Sequence, residues 1–400
     1  MVEPTSALDT GRISANFSVR FAYSVYFTRR AFATGNPLLA QLLKPSRPNA
    51  RARVFAAVES AVSAAHPHLT AAIADYCRHY GLDLAGEIFP LPAGEAAKTG
   101  GLGIALGLVE AMIKADLDRQ SYLLAIGGGS ALDAAGLAAA LLHRGIRLVR
   151  LPTTVLGQND AGVGVKNGID YGCQKNAIGT FAPPWAVVDD FTFLDALPER
   201  AFSGGFAEAV KVAMIESESF FDRLGEIALP FAKREPAAVE EVIRTTARLH
   251  VEHIATAGDP FETGTARPLD FGHWSAHRLE AMSDYCLGHG PAVAIGLIID
   301  SFYAQLQGWI SREATVKAIE MIQNTKLDLI AAEFTHLLAE RESLFQGLDD
   351  FRTHLGGELT LTFPCPIGRH REVHEIDFAV MNHAIDLAHA ALNRPALQIM

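Results

Sequence analysis

The chain has 400 residues, 49% of them hydrophobic and 20% charged; this is enough apolar side chain for a large core and more chain than one core usually serves, so two domains are expected. A formal net charge of -11, spread without long acidic blocks, argues against broad attraction to nucleic acid or anionic membrane and leaves any bound phosphate to local groups. Cys77, Cys173, Cys286 and Cys365 lie far apart with no Cys-x-x-Cys pair, so neither a disulfide framework nor a thiolate zinc site is indicated. Reduced thiols and a cytoplasmic location are the simplest reading, since Met1 to Phe17 is polar and no run of about 18 apolar residues follows.

The first half alternates short β-type runs with longer helical ones, the pattern of a parallel sheet covered by helices. Ala52 to Val58 reads as a strand, Ala71 to Tyr80 as helix, Glu87 to Leu91 as strand and Gly101 to Lys114 as helix. Between the last two, Pro92-Ala93-Gly94-Glu95-Ala96-Ala97-Lys98 sets an acid and a base beside a glycine; a solvated helix-start pair is the plain alternative. Ser121 to Ile126 is a buried strand broken by Gly127-Gly128-Gly129, and Ser130 with Asp133 predicts a capping box opening a helix to His143, with Gly145 as its stop. A strand that ends in glycines and runs into a helix suits a pyrophosphate, because the backbone comes close and the helix start offers unpaired N–H groups. The spacing is not Gly-x-Gly-x-x-Gly, so a plain tight turn stays open. Arg147 to Leu151 is the next strand, and Pro152-Thr153-Thr154 puts two hydroxyls at its carboxyl end, the edge where ligands bind in open α/β sheets. The glycine-rich stretch Gly162 to Gly179 carries Lys166, Lys175 and Asn176 on mobile loop backbone, suited to a phosphate or to ordinary surface exposure.

After about Pro198 helical patterns dominate: Glu208 to Leu224, Val239 to Ala255, His277 to Met282, Ala292 to Leu306 and Ala314 to Gln323, with a late strand over Gly356 to Thr362. Residues 1–195 are therefore expected to form an α/β domain and 196–400 a mainly helical one. Glu208 and Lys211, three apart, share a helix face that is otherwise apolar, and His273 and His277 repeat the geometry at four apart. His289 follows in Leu287-Gly288-His289-Gly290. Any one of these histidines alone is more often a hydrogen-bonded core residue, but one carboxylate with two imidazoles makes an open divalent site that zinc fits best.

Ala125-Ile126-Gly127-Gly128-Gly129, Arg144-Gly145, Pro152-Thr153-Thr154, Asp160 with Lys166, Lys175-Asn176, Glu208 with Lys211, Phe271-Gly272-His273 and His289-Gly290 resemble, in order and spacing, the dehydroquinate synthase-like sugar phosphate cyclases. The resemblance implies a Rossmann-like NAD domain followed by a helical metal-binding domain. It implies Glu208, His273 and His289 as ligands of zinc or cobalt, and Glu95, Lys98, Gly127, Gly128, Gly129, Asp133, Thr153 and Thr154 around NAD, with Lys175 beside it. Asp160, Lys211 and His277 would line the reacting sugar, and Lys175 and Asp270 would complete the catalytic pocket. Lys166, Asn176 and Arg144 would serve the phosphate, Arg144 coming from the neighbouring subunit of a homodimer.

The implied partner is a small sugar phosphate. The implied reaction oxidises a ring alcohol with catalytic NAD, eliminates phosphate, returns the hydride and closes a carbocycle by aldol addition, so the enzyme is a lyase. Dehydroquinate synthases grip a substrate carboxylate with a Lys, an Arg and an Asn; counted back from His273, those positions hold Glu252, Ala266 and Asp270, with Arg267 one residue away. An acid repels a carboxylate and accepts hydrogen bonds from hydroxyls. A carboxylate-free seven-carbon substrate, sedoheptulose 7-phosphate giving an epi-valiolone-type cyclitol, is thus expected over the acidic heptulosonate of 3-dehydroquinate synthase. A metal-dependent polyol or glycerol dehydrogenase shares the Gly-Gly-Gly-Ser-x-x-Asp turn but needs no phosphate pocket.

Overall fold

The structure is a computed structural model that describes residues 13–45, 47–171, 174–256, 260–261, 268–354 and 357–393. In its N-terminal part the strands are β1 (Val25–Thr28), β2 (Arg53–Glu59), β3 (Asp83–Leu84), β4 (Phe89–Leu91), β5 (Tyr122–Gly127), β6 (Arg147–Pro152), β7 (Lys166–Tyr171), β8 (Gln174–Phe181) and β9 (Ala186–Asp190). All but β7 and β8 join one sheet in the order β1-β9-β6-β5-β2-β3, with β4 also pairing β2. Every pairing in it is parallel, as the alternation of strand and helix patterns predicts.

Helices α1 (Leu38–Leu42), α2 (Ser60–Ala65), α3 (Leu69–Tyr80), α4 (Ala96–Thr99), α5 (Leu102–Lys114) and α6 (Gly129–Leu141) cover the sheet. The two-residue period of β2 divides the core. Val54, Ala56 and Val58 pack with Leu39, Ile73 and Tyr76 of α1 and α3, while Phe55 and Ala57 pack with Leu108, Met112 and Leu132 of α5 and α6. Central β5, buried along its whole length, is accordingly an unbroken apolar run rather than an alternating one. From β2 the chain grows outward to β3 and β4, then crosses back so that β5 lies on β2's other side. This reversal puts a crevice at the carboxyl ends of β2 and β5, the usual place for a ligand in such sheets.

The glycine-rich stretch after β6 is not a loop. β7 and β8 pair antiparallel, Lys166 opposite Phe181 and Ile169 opposite Ile178, and Asn167 to Asp170 are buried. Its glycines hid a hairpin that packs on α6.

The C-terminal part comprises α7 (Glu199–Glu216), α8 (Glu218–Ala232), α9 (Pro236–Thr256), α10 (His273–Met282), α11 (His289–Leu306), α12 (Arg312–Asn324), α13 (Leu327–Ala332), α14 (Arg341–His354) and α15 (Phe378–Leu392), with an antiparallel pair β10 (Leu361–Pro364) and β11 (His370–Val373). The helix predicted over Glu208 to Leu224 is two helices. Ser217 breaks it, and its hydroxyl accepts from Phe220 N at 3.3 Å to cap α8, while the apolar period runs on across the break. The predicted late strand begins only at Leu361; residues 355 and 356 lie outside the described residues. Among the described residues no helix is long and apolar enough to cross a membrane.

Candidate active site

At the carboxyl edge of the sheet, β5 ends in Gly127 and α6 starts at Gly129, with Gly128 as N-cap and no side chain capping the first turn. A Cβ on Gly127 would come within 2.8 Å of Ala131 and of Glu59, so only glycine permits the turn. Glu59, ending β2, accepts from Gly94 N at 2.8 Å and Gly128 N at 2.6 Å, binding the loop after β4 to the glycine turn. The predicted capping box does not form: Ser130 donates to Glu95 Oε2 at 2.6 Å and Asp133 pairs with Lys98 at 2.5 Å. Both side chains reach across to the start of α4. The uncapped first turn of α6 is therefore available to an anion. Thr153 is buried and its N–H bonds Gly127 O at 3.0 Å, while Thr154 Oγ1 accepts from Gly157 N at 2.9 Å and opens the turn Gly157–Ala161 that carries Asp160. Close backbone, an open helix start and a carboxylate at the end of β2 fit a dinucleotide.

The second group arises where α7 and α11 touch at their glycines. A Cβ on Gly290 would lie 2.3 Å from Gly204 Cα; Glu208 stands one turn beyond Gly204, and His289 directly precedes Gly290. The close crossing thus sets a carboxylate against an imidazole. Glu208 Oε1 is 3.4 Å from His289 Nε2 and 3.8 Å from His273 Nε2, and the three ligand atoms lie within 4.8 Å of one another. Each Nε2 is aimed by the opposite ring nitrogen: His273 Nδ1 bonds Phe271 O at 3.0 Å and His289 Nδ1 bonds Glu280 Oε2 at 3.1 Å. With both Nδ1 atoms donating, three acceptors converge, and the fully buried Glu208 Oε1 has no hydrogen-bond partner. A divalent cation answers that geometry. Burial works against a charged His289, yet Glu280 and Glu208 outweigh it and raise the imidazole to about 9, so an entering cation displaces a proton.

His277, Glu280 and His289 also have metal-ligand spacing. Both Glu280 oxygens are engaged, however: Oε2 by His289 and Oε1 by Lys175 Nζ at 2.7 Å. Burial, with His273 beside it, holds His277 well below its usual range, leaving a neutral imidazole. Lys211 touches Glu208 Oε2 and lies 3.9 Å from Asp160 Oδ1. Burial opposes its charge, but Glu208, Asp160 and, less strongly, Asp270 keep it protonated. Asp160 stays ionised against its own burial because of Lys211 and His250.

The hairpin joins the two groups. Lys175 Nζ lies between Glu280 and Glu95 Oε1, the latter at 3.2 Å, and Asn176 Oδ1 accepts from Lys98 at 2.8 Å. Lys166 is exposed at the hairpin's start. Arg144 stands apart, beyond the far end of α6, about 20 Å along the helix from the glycine turn at 1.5 Å per residue. Glu252 is exposed on α9 and paired with Arg248 at 2.9 Å, whereas His250, two residues earlier, faces Asp160. Ala266 and Arg267 lie outside the described residues. Sequence reasoning passed over Glu59, Glu280 and His250. Glu280 could have been found three residues past His277 on the same helix face; His250 carried no signal.

The sequence profile of the 3-dehydroquinate synthase N-terminal domain matches residues 88–204 and that of the C-terminal domain residues 205–342. The 3-dehydroquinate synthase of Solibacter usitatus is 38% identical over 259 residues, 63% of this chain and 71% of that protein. That of Sulfolobus acidocaldarius is 31% identical over 293 residues, 72% of this chain and 82% of its own. Among solved structures, ValA, the 2-epi-5-epi-valiolone synthase of Streptomyces hygroscopicus with NAD+ and Zn2+ bound, is similar at a TM-score of 0.80 and 26% identity, over 95% of this chain and 99% of that one.

Proposed function

Because the chain belongs to the 3-dehydroquinate synthase family of sugar phosphate cyclases, we propose that it is a phosphate-eliminating lyase acting on a seven-carbon ketose phosphate without a carboxylate, sedoheptulose 7-phosphate, and forming an epi-valiolone-type cyclitol. The observation that carries the substrate choice is the charge around the cluster. Asp270 lies in the fields of Lys211 and His273, where the resemblance puts an amide that binds a carboxylate. An acid there repels a substrate carboxylate and accepts hydrogen bonds from hydroxyls. The likeness to ValA over nearly the whole chain supports the same choice.

When bound, NAD supplies a reversible hydride acceptor and a zinc or cobalt ion a Lewis acid. Glu208, His273 and His289 would hold the cation; Gly127 to Gly129 and the start of α6 would take the pyrophosphate, with Glu95, Lys98, Asp133, Thr153 and Thr154 around the rest. Neutral His277, beside the cluster, is placed to take up a proton, while charged Lys211, ionised Asp160 and the side chain of Asp270 orient hydroxyls. Lys166, Lys175 and Asn176 offer the phosphate two cations and an amide from one hairpin. Arg144, at the opposite end of α6, reaches a phosphate only from a second subunit, so the active unit is a homodimer. We place the division between the two domains at residue 195, within the turn Phe191–Ala196 that leads into α7.

The test is to incubate the protein, NAD and zinc or cobalt separately with sedoheptulose 7-phosphate and with the acidic heptulosonate phosphate, measuring phosphate release and NADH. Release from the former without net NADH is expected. Activity only on the acid makes the protein a 3-dehydroquinate synthase, the second reading, which the 38% identity to the Solibacter enzyme favours. NADH accumulation without phosphate release makes it a polyol dehydrogenase.

A further inference from the structure

We propose that His250 is a positioning residue that holds the Asp160 carboxylate for a substrate hydroxyl, acting through Asp160 and touching neither cation nor cofactor. The inference rests on the cyclase reading above and deepens it, because it assigns the inward side chain of α9 to a hydroxyl rather than a carboxylate contact. Ala247 of α9 is buried against Val163 and Val187, and Val251 packs beside them. These two anchors, four residues apart, fix the rotation of the helix. His250 lies between them on that face and has little freedom to turn away. Its Nδ1 lies 2.9 Å from Asp160 Oδ1, and both side chains are largely enclosed, 12% and 17% exposed. Nε2 faces Gly164, where an added Cβ would stand 3.9 Å away.

Asp160 needs such a hold. It sits in the turn Gly157–Ala161, and Lys211 Nζ, at 3.9 Å from the same oxygen, is too far for a hydrogen bond. His250 Nδ1 stands against Oδ1 at 2.9 Å as a close polar contact, its ring N–H not aligned for a hydrogen bond, and Oδ2 is left for the substrate. Charges alternate outward from the cluster, Glu208 to Lys211 to Asp160, and the His250 ring stands beyond them. Position 252, from which the resemblance would have a lysine reach the substrate, holds an acid turned to Arg248 on the exposed side of the helix.

The test compares His250→Leu with His250→Asn, whose amide offers a donor near the place of Nδ1. On whichever sugar phosphate the wild type turns over, His250→Leu is expected to lower kcat about 10- to 100-fold, the loss of one polar contact to a charged group. KM should stay within about threefold, because the phosphate contacts are untouched. Bound metal should not change, and His250→Asn should recover kcat to within about threefold of wild type. Crystal structures should show Asp160 turned aside in His250→Leu and in place in His250→Asn. Wild-type kcat in His250→Leu, equal loss in both variants, or an unmoved Asp160 in His250→Leu overturns the proposal. If the wild type releases phosphate from neither sugar, the substrate reading falls, and His250 is judged on the position of Asp160 alone.

Discussion

Glu280 touches no ligand atom that would face the cation, yet it decides which nitrogen of His289 does so. Its Oε2 takes the Nδ1 bond at 3.1 Å, and its Oε1 is anchored by Lys175 at 2.7 Å, so the imidazole cannot turn over without breaking a buried ion pair. Glu280→Gln keeps the shape and removes the charge that favours Nδ1–H. Metal affinity should fall about 10- to 100-fold, as for other second partners of metal-bound histidines, when measured by competition with a chelator; unchanged affinity would show that the crossing of α7 and α11 alone sets the ring. His273→Ala should go further and abolish metal retention and turnover together, whereas retained metal would remove it from the ligand set. Helical spacing in the sequence paired Glu208 with Lys211 and His273 with His277, and the resemblance singled out Glu208, His273 and His289, whose ligand atoms the fold brings within 4.8 Å of one another. Glu280 shares the helix face of His277 and was open to the same argument, whereas His250 acts through Asp160, distant in sequence, and carried no local signal.

At the scale of elements, α10 and α11 are joined behind the metal cluster by one buried acid. Asp300 of α11 accepts from Trp274 Nε1 at 2.9 Å and from Gly272 N at 3.1 Å, pinning the residues on either side of His273. Burial dominates and raises its carboxyl from 3.8 to about 7, with the Trp274 and Gly272 bonds opposing. An unfolded chain titrates the group near 3.8. Between about pH 4 and pH 7 the folded protein thus keeps a proton that the unfolded chain has released, and stability falls as pH rises through that window, levelling off above it. Three units at about 1.4 kcal/mol each give about 4 kcal/mol. The stability of wild type minus that of Asp300→Asn, from urea unfolding, should therefore decline by a few kcal/mol from pH 4 to pH 7; a constant difference would refute the linkage. The sequence showed the helices themselves because their apolar period is long. It misplaced the hairpin and the cap of α6 because glycine content and a Ser-x-x-Asp spacing are local signals, and there the long-range partners Glu95, Lys98 and Ile178 decided the outcome.

For the whole molecule the question is where Arg144 acts. α6 begins at the glycine turn and ends at Leu141, so Arg144 emerges at the opposite end of the sheet. His143 and Arg144 both hold positive φ, at 52° and 64°, a conformation that costs side-chain-bearing residues energy and directs the chain abruptly away from the helix. Its own glycine turn is about 20 Å back along α6, too far for one arginine. If it instead completes the second subunit's phosphate site, two inactive variants should repair each other. Arg144→Ala lacks only the arginine it lends, and Glu208→Ala lacks only its own cation site. Co-expressed, they form heterodimers in which the intact cluster of one protomer receives the intact Arg144 of the other. Random pairing makes half the dimers heterodimers with one complete site in two, so phosphate release should recover to about a quarter of wild type, although each parent is nearly silent. No recovery from heterodimers purified by a tag on each chain would show that Arg144 serves no neighbour, and the phosphate would then rest on Lys166, Lys175 and Asn176 of its own hairpin.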